Sequence, residues 1–284
     1  MLEAEQTVLA RPTEPFTIET RNGVVLRLYP DTRPHCLEIA ALQKGLILVF
    51  DDVELVEEGV GFGVPVVKFD DKTYFSSSAL TSIHKNNEYY TLVKSFSLDT
   101  VSRKRIWKGP YIKDDFYSFI HKLFEKPYLR HNRQRVFFDK VMELRNALEI
   151  NTEFVKVKPR GTITFRYSFF PKLIQVEADM SALYRTGCKE ILILNEQGSV
   201  FFRKYFDSDG LVLFDDQIGA WERVEAEEAS MSDVRRNLAF TLKNKKGAQL
   251  HRGSERVKGR LSWAGLDYSL SKDARFFSYE IVLR

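Results

Sequence analysis

The sequence predicts a mainly β protein, a large antiparallel β-sandwich with a short helical insertion. Three observations predict it. In Gly161–Phe170, GTITFRYSFF, Ile163, Phe165, Tyr167 and Phe169 alternate with Thr162, Thr164, Arg166 and Ser168. That two-residue period gives a strand with one apolar and one polar face. Similar segments recur down the chain, separated by turn chemistry. Aromatics are abundant, 22 Phe and 12 Tyr, and such residues suit pleated, half-buried surfaces.

The elements follow in order. Residues 1–15 read as an arm ending at Pro12 and Pro15. Strands are then predicted at FTIET, VVLRLYP, CLEIAAL, GLILVF, VELVEE, VPVVKF and KTYFSS, with another pair through Tyr89–Leu98 and Arg105–Trp107. The breaks are Asn22-Gly23, Lys44-Gly45, Asp51-Asp52, Gly59 to Gly63 and Asp70-Asp71, residues that tolerate the backbone of tight turns. From about Asp114 to Ile150 the period becomes helical, with Phe116, Phe119, Ile120 and Leu123 in one run. Val136, Phe137, Lys140, Val141, Leu144 and Leu148 make a second, capped by Asn132. Residues 114–150 are therefore read as an insertion within a single domain spanning 1–284. Strands return at EFVKVK, LIQVEA, EILILN, SVFFRKYF, LVLFD, AWERVEA, RNLAFTL, GRLSWAGLDYSL and FFSYEIVL, with NEQGS (195–199) and DSDG (207–210) read as hairpin turns. So many short strands must curl or split into packed layers.

Composition narrows function. The chain has 284 residues and a net charge of +4 from 43 basic and 39 acidic residues, a balance that argues against a nucleic-acid protein. Cys36 and Cys188 are far apart and in no ligand cluster, so no metal and no disulfide framework is read. His35, His84, His121, His131 and His251 show no metalloenzyme spacing. The N-terminus lacks a signal-peptide apolar region and the greasiest stretch, Leu46 to Phe50, is too short to span a bilayer. The expectation is a soluble, cytoplasmic protein with no membrane association, no cofactor and an open oligomeric state.

Several motifs fall to structural readings. Gly59-Val60-Gly61-Phe62-Gly63 has GxGxG spacing and leads into a strand, not into the helix that a dinucleotide fingerprint requires. It reads as a strand–strand connection. DSDG holds only the first half of a calcium loop and reads as a hairpin tip. No GxSxG elbow is present. Lys243 to Arg260 carries seven Lys/Arg against one Glu, and Arg103-Lys104-Arg105 precedes Ile106-Trp107; both read as solvated strand edges, the rival being an interaction protein that grips an acidic partner.

The tryptophans carry the functional expectation. Trp107, Trp221 and Trp263 each fall in a predicted strand beside hydrogen-bonding residues. An aromatic face flanked by polar groups suits a sugar, whose C–H face stacks while its hydroxyls bond. Arg105 and Trp107, two residues apart, share a face. The expected ligand site is Arg105, Trp107, Trp221, Trp263 and Asp267. His84, beside Ser82 and Lys85 at a strand end, joins it as the group best placed for acid–base work in a sugar-modifying enzyme, an epimerase or lyase.

The stretch Asn22-Gly23-Val24-Val25-Leu26, the strand-rich GLILVFDDVELVEEGVGFGVP, and the closing SWAGLDYSL and FFSYEIVL together resemble the galactose mutarotase-like superfamily. The resemblance is one of layout across most of the chain. It implies a β-supersandwich with a carbohydrate-facing concave sheet. Epimerases of that group use a His acid and a Glu base; no motif here matches that pair, so no catalytic residue is carried over.

Overall fold

The computed structural model describes residues 7–10, 14–19, 24–30, 43–56, 61–71, 73–85, 90–98, 101–106, 151–156, 159–170, 172–257 and 261–284. The chain divides into two units, one of residues 1–100 with 157–284 and one of residues 101–156. In the smaller unit β9 (Val101–Ile106) and β10 (Asn151–Lys156) pair antiparallel. The helices expected within 114–150 lie outside the described residues, as do the CLEIAAL strand, the Asn22-Gly23 turn and Trp107.

The larger unit is antiparallel β throughout its described pairings, and its one described helix is the 3-10 turn Asp215–Gln217. In chain order the strands are β1 (Thr7–Ala10), β2 (Phe16–Glu19), β3 (Val25–Leu28), β4 (Leu46–Phe50), β5 (Val53–Glu54), β6 (Gly61–Phe69), β7 (Thr73–Lys85) and β8 (Tyr90–Leu98). After the smaller unit come β11 (Thr162–Phe169), β12 (Leu173–Asp179), β13 (Cys188–Gln197), β14 (Lys204–Asp207), β15 (Val212–Phe214) and β16 (Glu222–Arg223). The last five are β17 (Glu228–Asp233), β18 (Leu238–Lys243), β19 (Ala248–Val257), β20 (Leu261–Ser271) and β21 (Phe276–Leu283).

They form two hydrogen-bonded ladders. The first runs β1-β7-β8-β11-β12-β21-β18-β17-β14-β15. The second runs β2-β3-β4-β6-β13-β20-β19-β16, with β5 folded back on β4. Strand β7 belongs to both. Thr73–Phe75 pair with β6, and Ser76–Lys85 pair with β8 after a bulge at Ser76/Ser78. Bulges bend a strand and mark such corners.

The alternation read in GTITFRYSFF holds: Ile163, Phe165 and Tyr167 are buried between exposed or half-buried neighbours. Inward-facing rings of the two ladders meet in one core. Phe62 packs edge-on against Phe240 at 4.9 Å, and Tyr268 meets Phe277 and Tyr279 at 4.9 and 5.1 Å. Lys94 also lies wholly buried, its Nζ donating to the carbonyls of Tyr29 and Lys44 at 2.7 and 2.5 Å. A buried ammonium survives because its protons are taken by carbonyls that the strand ends leave open.

The structure corrects the reading of NEQGS as a turn. Asn195, Glu196 and Gln197 are the buried end of β13. Opposite them β6 carries one extra residue: Leu194 pairs with Val64 and Asn195 with Phe62, leaving Gly63 as the bulge. Its N–H, out of the ladder, donates to Asn195 Oδ1 at 3.2 Å. The same oxygen accepts the Tyr279 hydroxyl at 2.7 Å. Gln197 mimics a strand partner for β4, accepting from Leu48 N–H and donating to the Leu46 carbonyl. Polar side chains that look like turn formers are thus used to satisfy backbone groups inside the fold.

Two further segments differ from expectation. SVFFRKYF is a strand only from Lys204, and β17, EASMSD, went unread because Ala, Ser and Met carry little β signal. The Gly59 to Gly63 break is corrected in its described part, since residues 61–63 open β6, whereas the Asp-rich tips hold. Asp51 and Asp52, both at positive φ, turn β4 into β5, and Asp207 Oδ1 accepts from Asp209 N–H and Leu211 N–H in DSDG.

Replacing Asn195 by Ala removes the acceptor of two buried donors, so urea denaturation should show a loss of about 2–4 kcal/mol. Tyr279→Phe, which deletes one donor and keeps the ring, should lose about 1–2 kcal/mol.

Candidate functional site

The site lies on the face of β13, β20 and β19 that turns away from the shared core. In β20, Ala264, Leu266, Tyr268 and Leu270 point into the core. Alternation puts Trp263, Gly265, Asp267 and Ser269 on the opposite side. Register adds their neighbours. Glu255 lies across from Trp263, Gly253 from Gly265 and His251 from Asp267 on β19, while Glu196 lies across from Gly265 on β13.

Two glycines side by side leave this face without Cβ atoms. A Cβ on Gly253 would stand 2.5 Å from the Trp221 ring, and one on Gly265 would stand 2.9 Å from Glu196 Cγ and 2.4 Å from the Asn195 carbonyl. The trough is therefore filled by the Trp221 indole and by the Glu196 side chain. Nothing larger than glycine permits either approach.

Trp221 is brought there by a strap, residues 218–224. Arg252, almost fully buried, donates to the Ile218 carbonyl at 2.6 Å and to Glu222 Oε2 at 2.7 Å. Ser254 N–H donates to the Gly219 carbonyl and Val224 N–H to the Leu250 carbonyl. The Trp221 indole N–H lies toward the Glu255 carboxylate and favours its anion. Trp221 itself precedes β16, so its expected place in a strand is corrected: it sits in the strap that leads into that strand. The basic run is corrected too, since Arg252 is an internal tether and Lys243 pairs with Glu228 at 2.9 Å.

Charge divides the face. At one end Glu196 and Asp267 are each 6% exposed and lie close on the same face. Burial, then the nearby Asp267 and Glu255 charges, hold the Glu196 carboxyl well above its ordinary range. Burial pushes Asp267 up to about 7, although Asn195 N–H, at 2.8 Å, and Glu196 stabilise its anion. Burial also raises Glu255, and the Trp221 N–H opposes it. At the other end the cations are used: burial would raise Glu190, but Lys68 Nζ at 2.6 Å and Ser269 Oγ outweigh it and hold that carboxyl low. Between the ends His251 is lowered by burial, against the pull of Glu190. A shallow depression of about 710 Å³ opens beside this end, bordered by Lys189, Glu190, Arg223, Gln249, Ser269 and Ser271.

Of the residues expected at a site, the structure brings Trp221, Trp263 and Asp267 to this one face. His84 is elsewhere, on β7 in the first ladder, paired across from Val8 and Thr91. Its Nε2 lies 2.8 Å from Ser82 Oγ, and its buried Nδ1 has no hydrogen-bond partner among the described residues. Arg105 is in β9 of the smaller unit, opposite Thr152. Sequence reading missed Glu196, Glu255 and the glycine pair. Glu196 was hidden in turn-like NEQG; Gly265, two residues from both Trp263 and Asp267, was the available signal of a close approach. Among the described residues no helix is long and apolar enough to cross a membrane.

Gly253→Ala should drive the Trp221 ring off the trough. The expected readout is a change in indole fluorescence together with a loss of about 1–3 kcal/mol, and an unchanged spectrum would show that the ring does not rest there in solution.

No protein-family model matches the chain, and no curated protein matches it. Among solved structures it is similar to HI1317, with 9% identity over 99% of this chain and 100% of that chain and a TM-score of 0.33. It is also similar to the Slr1438 protein from Synechocystis sp. PCC 6803, with 10% identity over 98% of each chain and a TM-score of 0.36. TM-scores this low carry neither fold nor function across.

Proposed function

We propose that the protein binds a carbohydrate or sugar-like ligand on the Trp221–Trp263–Asp267 face, with its two ladders serving as the layers of a β-sandwich. One observation carries this reading: two half-buried tryptophans share a sheet face with Asp267, Glu196 and Glu255. An indole offers a flat apolar surface for the C–H side of a pyranose. Glu255, half-buried beside the indoles, is placed to accept from a ring hydroxyl, while Glu196 and Asp267 lie sealed beneath the surface. Gln249, Ser269 and Arg223, around the adjoining depression, extend the polar surface along the direction an oligosaccharide would take.

Support for the sandwich comes from the rings of one ladder meeting those of the other, and from β7 crossing between them. The mutarotase-like layout is compatible with this arrangement and adds no residue to it.

A panel of neutral, acidic and amino sugars should contain members that raise the midpoint of thermal unfolding, because a ligand that binds only the native state stabilises it. At a sugar concentration about one hundred times Kd the gain is about 2.7 kcal/mol. Trp221→Ala should remove the shift while leaving the Tyr268–Tyr279 core intact. A panel that leaves the midpoint unmoved at millimolar sugar, or a shift that survives Trp221→Ala, would sink the assignment.

A further inference from the structure

We propose that Glu196 and Asp267 form a proton-operated lock on the seam between β13 and β20, which holds while the pair keeps a proton and loosens when that proton leaves. The lock does not depend on what the face binds.

The two side chains come from adjacent strands. Glu196 stands across from Gly265, and Asp267 is two residues along β20 on the same face. The glycine leaves room for Glu196, since a Cβ at 265 would stand 2.9 Å from Glu196 Cγ. Both carboxyls are sealed, at 6% exposure. One Asp267 oxygen is engaged by Asn195 N–H at 2.8 Å. Register and the Asn195 N–H contact bring the Asp267 carboxyl beside Glu196, and two acids that close in a sealed layer share a proton.

The groups that face the pair are few. His251 lies across from Asp267 on β19, and Glu255 belongs to the same face. The strap brings Trp221, Glu222 and Arg223; Glu222 is held by Arg252, and Arg223 pairs with Glu225 at 3.0 Å. On β6, Gly61 and Val64 stand across from Glu196 and Leu194, and Lys68 is further along, committed to Glu190. Tyr279 reaches in from the other ladder through Asn195. Among the described residues no Lys or Arg forms an ion pair with Glu196, Asp267 or Glu255. With no cation beside it, the pair cannot carry two charges without repulsion across the seam, as close carboxylates in low dielectric share a proton.

In the unfolded chain both acids ionise near pH 4. In the folded state both are held higher. The native state therefore binds more protons in the interval between, and its stability is fullest below the unfolded values and falls as pH rises through the folded ones.

The test is urea unfolding of the wild type and of Glu196→Gln between about pH 5 and 8. The amide donates to Asp267 as the protonated acid does, but has no proton to lose. The expected result is that the wild-type folding constant falls more steeply than the variant's, by about a factor of ten per pH unit for each proton held. Exchange of the Asn195 amide, corrected for its intrinsic pH dependence, should quicken with pH in the wild type and not in the variant. Equal slopes overturn the proposal. Where Glu196→Gln does not fold, the infrared absorption of the wild type at neutral pH decides: a protonated-carboxyl band supports the lock, and its absence overturns it.

Discussion

The larger unit depends on one asparagine. Asn195 gathers the bulge of β6, the hydroxyl of Tyr279 in the opposite ladder and, through its own N–H, the carboxylate of Asp267. A bulge frees one N–H from its ladder, and a buried N–H without an acceptor is expensive. An apolar side chain at 195 would leave Gly63 and Tyr279 both unsatisfied. A charged one would add a burden the core cannot dissipate. An amide supplies a strong acceptor without charge, and its hydrogen bonds join the two ladders by direction as well as by burial. The aromatic contacts supply most of the buried area; Asn195 fixes which register those aromatics adopt.

From that constraint the site follows. Because β13 passes close to β20 at Asn195 and Glu196, only glycine fits at 265, and its neighbour across the ladder, Gly253, must leave room for Trp221. The floor of the candidate site is thus a by-product of tight strand packing. The strap is laid on the floor afterwards and tied by Arg252, whose guanidinium also lies over the Tyr205 ring at 5.2 Å. The guanidinium's fixed fork suits this double duty, one arm on a carbonyl and one on a carboxylate. Position of the ring and packing of the sheet are therefore coupled: a change at 195 or 265 reaches Trp221 without touching it.

How far this was legible in the sequence depends on period. Alternation over Thr162–Phe169, Leu173–Asp179 and Phe276–Leu283 marked strands that the structure contains, because side chains repeat every two residues whatever lies beyond. The Asp-rich hairpin tips were legible for a local reason as well. Long-range partners were not. Asn195 and Gln197 satisfy backbone groups of β6 and β4 more than 130 residues away in sequence, and locally their chemistry is that of a turn. Asp267 and Trp263 could be placed on one face from their spacing alone; Trp221 joins them only through the strap, a placement no local pattern encodes. Glu255 was read as the single acid of a basic run, when register sets it beside Trp263.

The acids themselves argue that this face is more than packing. Glutamine at 196 and asparagine at 267 could make the same hydrogen bonds, to each other and to the Asn195 amide, with no charge to desolvate. Glu255 could likewise be glutamine and still face the Trp221 indole N–H without a charge. Two sealed carboxyls and a half-buried third, with no ion-paired Lys or Arg among the described residues, therefore lower stability relative to isosteric amides. Departures of this kind, where local chemistry works against the fold that contains it, concentrate at functional sites. The face of β13, β20 and β19 gathers these acids around the glycine pair, and that is the arrangement a ligand or a proton would use.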